Sequence, residues 1–116
     1  MKTKFLLSLV IGALTSCQSP SPLLHFPDGQ APLNEIFSFN IELIDGPADA
    51  VGVDADMPSH GHGMITAPQV TRIDGSNYLV DGMMLHMPGY WEIFVEVTRD
   101  NNTQRFVLPL TLEAWQ

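Results

Sequence analysis

Two imidazoles and two thioethers lie within nine residues of this chain, in Asp56-Met57-Pro58-Ser59-His60-Gly61-His62-Gly63-Met64. The whole sequence has four histidines and six methionines, so the stretch concentrates both types. Imidazole and thioether together suit a soft metal ion, copper above all. Cu(I) takes both donors at low coordination number, and Cu(II) prefers imidazole and oxygen. Zinc fits less well, because it more often draws on cysteine or carboxylate, although Asp54 and Asp56 stand close enough in sequence to keep it open. An all-oxygen calcium site does not fit acids dispersed without a ligating spacing. His60 and His62 are two residues apart, so an extended backbone puts both on one face, and Met64 continues that face. The stretch has no apolar periodicity and reads as a loop, with Gly61 and Gly63 free to take conformations closed to other residues. The same residues also suit a polar turn whose imidazoles hydrogen-bond loop carbonyls.

Two further donors, His86 and Met87, sit just before Pro88-Gly89. His86 is the preferred third imidazole, with Met64, Met57 or Met87 as the soft supplement. Alternation along residues 78–86 sets Tyr78, Val80, Met84 and His86 on one side, opposite Leu79, Asp81, Met83 and Leu85. His86 and Met87 therefore share a direction only where the strand has ended. Met83 and Met84 read as core filler. Trp91 reads as a buried core tryptophan, and His25 as an edge residue outside the cluster.

The elements that must position these donors read as strands. Residues 23–26 form a short edge segment, and Phe37, Phe39, Ile41 and Leu43 alternate with polar neighbours along 35–44. Val51 and Val53 mark a strand running into the His/Met stretch, and residues 69–73 form another before the turn signal Asp74-Gly75-Ser76-Asn77. Residues 78–86 follow, with Gly82 a candidate bulge. Trp91, Ile93, Val95 and Val97 point inward along 90–98, as do Phe106, Leu108, Leu110 and Leu112 along 103–114. Pro109 lacks an N–H and puts the last strand at a sheet edge or a bulge. No segment keeps a helical period. The expected fold is therefore all-β, an Ig-like antiparallel β-sandwich of about seven strands. Alternating Greek-key connections bring the His60/His62 loop, the 86–89 connection and the end of the first strand to one pole, which gathers Met57, His60, His62, Met64, His86 and Met87.

The first 16 residues read as a leader. Lys2 and Lys4 precede an apolar run over 5–14 that is too short to span a bilayer. Leu14-Thr15-Ser16-Cys17 resembles the bacterial lipobox, which implies cleavage before Cys17 and a lipid on its sulfur. Cys17 is the only cysteine, so no disulfide within the chain is available. Residues 17–22 form a lipid-anchored Ser/Pro tether, and 23–116 one domain. Gln18 after the cysteine, rather than Asp, favours the outer membrane under the sorting rule of enteric bacteria. The expected location is the periplasmic face of the envelope. Without Lys2 and Lys4, three of the five basic residues stand against 13 acids, a formal charge of −10. Nucleic acid is a poor partner for such a surface, and a cation or a basic protein is a better one.

The ordered set Met57-Pro58-x-His60-Gly61-His62-Gly63, then Gly75-x-Asn77-Tyr78, then Met87-Pro88-Gly89-x-Trp91-Glu92 resembles the YtkA-like domain, a relative of the FixH family, over roughly residues 33–113. The resemblance implies a small, secreted or membrane-anchored Ig-like domain found near copper handling, oxidase assembly or efflux. Two expectations follow. One is a lipid-anchored copper-binding protein that partners a membrane complex or a metallochaperone. The other is a metal-free accessory module that docks onto a membrane complex, with the histidine loop as a rigid turn. Enzyme activity is not expected, because no serine has a nucleophile context and no Gly-rich phosphate loop occurs.

Overall fold

A computed structural model describes residues 19–115; the leader, Cys17 and Gln18 lie outside the described residues. Eight strands follow in chain order: β1 (Leu23–His25), β2 (Phe37–Glu42), β3 (Ala50–Met57), β4 (His62–Gly63), β5 (Gln69–Asp74), β6 (Asn77–Met83), β7 (Gly89–Arg99) and β8 (Asn102–Leu112). They make two antiparallel four-stranded sheets, ordered β1-β2-β6-β5 and β4-β3-β7-β8. This is the Ig-like arrangement, in which one sheet of the first, second, fifth and fourth strands faces the sheet built on the third. The expected count of about seven becomes eight because β4 forms inside the histidine stretch. That stretch is therefore a short hairpin rather than an unstructured loop.

Alternation explains the core. Phe37, Phe39 and Ile41 of β2, Tyr78, Val80 and Met83 of β6, Ala55 and Met57 of β3, and Trp91, Ile93, Val95 and Val97 of β7 are all buried between the sheets. Phe26 closes one side, its ring 4.9 Å from that of Phe39. Phe106, Leu108 and Leu110 of β8 pack half-buried against the same core, and Leu112 is fully inside. β8 is a sheet edge, which suits Pro109.

The alternation of β6 changes phase at Gly82. Phe37 pairs with Met83 but Phe39 pairs with Val80, so β6 carries one extra residue, and Gly82 takes a φ of 88°. This bulge turns Met83 and Leu85 inward with Val80, where unbroken alternation puts them on the opposite face. The ladder ends at Met83, so His86 and Met87 belong to the connection and not to a strand.

The two poles of the sandwich differ. At the far pole, Asp100 and Asn101, both with positive φ, turn β7 into β8. There Arg99 donates from its NH2 group to the Gly46 carbonyl at 2.7 Å and from Nε to Pro47 at 3.1 Å. The Asp100 N–H reaches Asp49 at 2.8 Å. Ser19, Pro20 and Pro22 line a cleft at this far pole with Leu43, Ile44, Val97 and Arg99. The near pole, where β3 and β6 end and β7 begins, carries His60, His62 and His86.

Candidate metal centre

Met57 ends β3, and Pro58 opens a single 3-10 turn over Pro58–His60, where its missing N–H costs nothing. Gly61 closes the turn in the left-handed region (φ 67°, ψ 26°), and its N–H reaches the carbonyls of Met57 at 3.1 Å and Pro58 at 3.3 Å. β4 then returns along β3, with His62 opposite Met57 and Gly63 opposite Asp56. The Met64 N–H closes the hairpin on the Ala55 carbonyl at 3.2 Å. A Cβ at position 63 would stand 3.2 Å from the Ala55 carbonyl oxygen, so glycine permits this close approach.

Residues directly opposite in a ladder share a face, so His62 takes the core-facing side with Met57 and leans over the mouth of the sandwich. Its ring centre lies 6.4 Å from that of Trp91, edge to face. His86 comes in from the other sheet. Its ring centre is 5.3 Å from His62 and 5.7 Å from Trp91. His60, on the 3-10 turn, lies 5.6 Å from His62. The three imidazoles thus form a row with His62 in the middle and the buried Trp91 beneath its inner half.

His86 is held on both sides. The Asn34 N–H bonds the Leu85 carbonyl at 2.8 Å, which ties the β1–β2 connection to the residue before His86. Trp91 Nε1–H donates to the Met87 carbonyl at 2.9 Å, which fixes the residue after it. Three connections therefore meet at this pole, as the strand order requires.

Two imidazoles bound to one ion at about 2.0–2.1 Å from nitrogen have ring centres roughly 5–6 Å apart. Both neighbouring pairs fall in that range. Among the described residues, no three His, Cys, Asp or Glu side chains already converge as a finished metal cluster. Coordination therefore requires side-chain rotation, which is open to the exposed His60 and His62. His86 Nδ1 is buried and has no hydrogen-bond partner among the described residues, a costly state for a ring nitrogen. His62 Nδ1 lies 3.3 Å from the Gly63 carbonyl. With its proton there, Nε2 keeps a free lone pair, as in metal-binding histidines oriented by a carbonyl. The donor set fits a soft ion.

The methionines lie deeper. Met57 is 1% exposed, and its terminal carbon would be 3.1 Å from a Cβ at Gly89, so it fills the core beneath the hairpin. Met64 and Met87 are half-buried against that core. Met83 is fully buried and Met84 half-buried. His25 stands apart on β1, 55% exposed and 3.2 Å from Glu42 Oε1. Of the two aspartates near the stretch, Asp54 accepts the Ala55 N–H at 2.8 Å, while Asp56 Oδ1 is buried without a partner among the described residues.

Trp91 is the site residue that sequence reasoning treated only as core. Its position two residues into β7, beside the 86–89 connection, is the signal that places it at the mouth. It lies on the strand next to β3 rather than on the third strand, where antibody domains carry their buried tryptophan. No family model, curated protein or solved structure matches this chain, which leaves the three-imidazole pole as the ground for a functional reading.

Proposed function

We propose that this chain is a lipid-anchored periplasmic protein of the YtkA-like kind that binds copper at its near pole, for copper handling or delivery, without catalysing a reaction. The single observation that carries this reading is the row His60, His62 and His86, with ring centres 5.6 and 5.3 Å apart over Trp91. Three imidazoles suit copper and zinc alike, and it is the thioethers beside them that favour copper. Met64 and Met87, half-buried and close in sequence to the row, are the thioether candidates, while Met57 fills the core beneath the hairpin. The acidic surface favours a cation over any anionic ligand. Titration of the purified protein with Cu(I) and Cu(II), beside a His60→Ala/His62→Ala variant, is the test. The wild type should bind one equivalent at least about tenfold more tightly, a difference of about 1.4 kcal/mol. Equal affinity in the two proteins sinks the proposal.

A second reading has its own support. The hairpin closes on backbone bonds alone, through Gly61 and the β3–β4 ladder, and needs no ion to hold its shape. Exposed Ile65 and Tyr90 flank it. A metal-free accessory module docking onto a membrane complex would use this pole as a rigid turn. In that case the double substitution lowers thermal stability and leaves metal content unchanged.

A further inference from the structure

Resting on the copper reading above, we infer that the pole is an exchange site with a built order of engagement. His60 and His62 receive a Cu(I) ion from another protein, and His86 anchors it. The three imidazoles differ in two respects that bear on ion movement. His60 and His62 are exposed, whereas His86 is half-buried with Nδ1 sealed from solvent. His86 is also clamped through its neighbours by the Asn34–Leu85 and Trp91–Met87 bonds, whereas the other two sit on a hairpin whose second strand is only two residues long. The row therefore runs from an accessible, loosely held donor to a fixed, sheltered one, with His62 adjoining both.

Cu(I) at low coordination number has room for an incoming donor before the outgoing one leaves. An approaching protein can share the ion with His60 first. At each step one imidazole lone pair forms a Cu–N bond while one bond to the donor protein breaks. The ion stays Cu(I), no electron moves, and a neutral imidazole with a free lone pair releases no proton. His86 gains most from the final step. Its backbone is clamped but its ring nitrogen is buried and unpartnered, so an ion bound by that nitrogen relieves the cost it otherwise carries. Reversal of the same sequence returns the ion to an acceptor through His60. The partner this fits is a protein with its own exposed soft-ion site, whose ligands hold the ion until His60 engages it.

The test uses the full lipidated chain in detergent, loaded with Cu(I), and a chromophoric Cu(I) chelator as acceptor. Equilibrium competition reads affinity, and rapid mixing reads transfer rate against chelator concentration. The wild-type rate should rise with chelator concentration. His86→Ala should weaken affinity by at least about tenfold and by more than His60→Ala does, whereas His60→Ala should be the variant that slows transfer, by about tenfold. His86→Gln, which keeps a polar side chain in the half-buried position, is the second variant, with the far-ultraviolet circular dichroism of the sandwich as the check on folding. Equal loss of affinity in the His60 and His86 variants makes the three histidines equivalent ligands and overturns the order alone. So does a transfer rate independent of chelator concentration. Wild-type protein that holds no Cu(I) overturns the copper reading and this inference with it.

Discussion

Tyr90 and Glu92 stand at the rim of the near pole, on the outward face of β7. The Tyr90 hydroxyl donates to Glu92 Oε2 at 3.0 Å. That bond first, then loss of hydration, then the carboxylate's charge raise the phenol above its usual value of about 10. A raised folded-state value means that the bond stabilises the fold below the phenol's ordinary range and is lost as pH climbs through the raised value. Glu92→Gln should bring the Tyr90 midpoint back toward the ordinary value, read from its ring resonances as pH rises. An unchanged midpoint would refute the assignment. The histidines were legible at this scale from residue type and spacing, because soft donors at that density are unusual in a loop. Trp91 as part of the mouth was not, since its side chain alone reads as core and only the register of β7 puts it beneath His62 and His86.

Among the elements, β2 and β7 follow directly from alternation, while β6 and β4 do not. A bulge inverts the meaning of alternation beyond it, and the sequence marks it only by a glycine. Gly82 sits at φ 88° with the nearest atom 3.7 Å from a would-be Cβ, so backbone conformation, and not space, is what demands glycine. Gly52, on the outer face of β3, has open space and no positive φ. Gly82→Val should therefore cost about 1–3 kcal/mol in denaturant unfolding. Gly52→Val should be neutral or stabilising, since a β-branched residue suits a strand. Equal effects would remove the bulge from the account of why Met83 and Leu85 point inward. The hairpin of β3 and β4 escaped the sequence reading for a related reason. Two residues of ladder leave no periodic trace, and His62 and Gly63 are poor strand formers on their own.

At the scale of the whole molecule, the two poles divide their roles. The three arginines lie away from the histidine connections: Arg99 at the far pole, Arg105 stacked 3.9 Å over Phe94, and Arg72 on β5. Cations approaching the near pole meet no fixed positive charge in the loops that carry the histidines. The sandwich class and the convergence of connections were legible from strand count and order, because turn signals recur along the whole chain. What a strand count leaves out is the direction in which each pole faces. Under the lipid anchorage proposed above, the chain leaves the bilayer through residues 17–22, and those described among them lie against the far pole. Cu(I) withdrawal by a membrane-impermeant chelator should then be as fast from protein in vesicles as from protein in detergent. A slower rate in vesicles would put the histidine pole against the lipid.

β7 runs the length of the sandwich, from Gly89 beside the histidines to Arg99 beside the tether. At about 3.4 Å per residue its eleven residues span roughly 35 Å. The domain is thus a stalk as well as a scaffold. Under the proposed anchorage it would hold its imidazoles about a membrane's thickness out from the lipid surface, within reach of a soluble carrier.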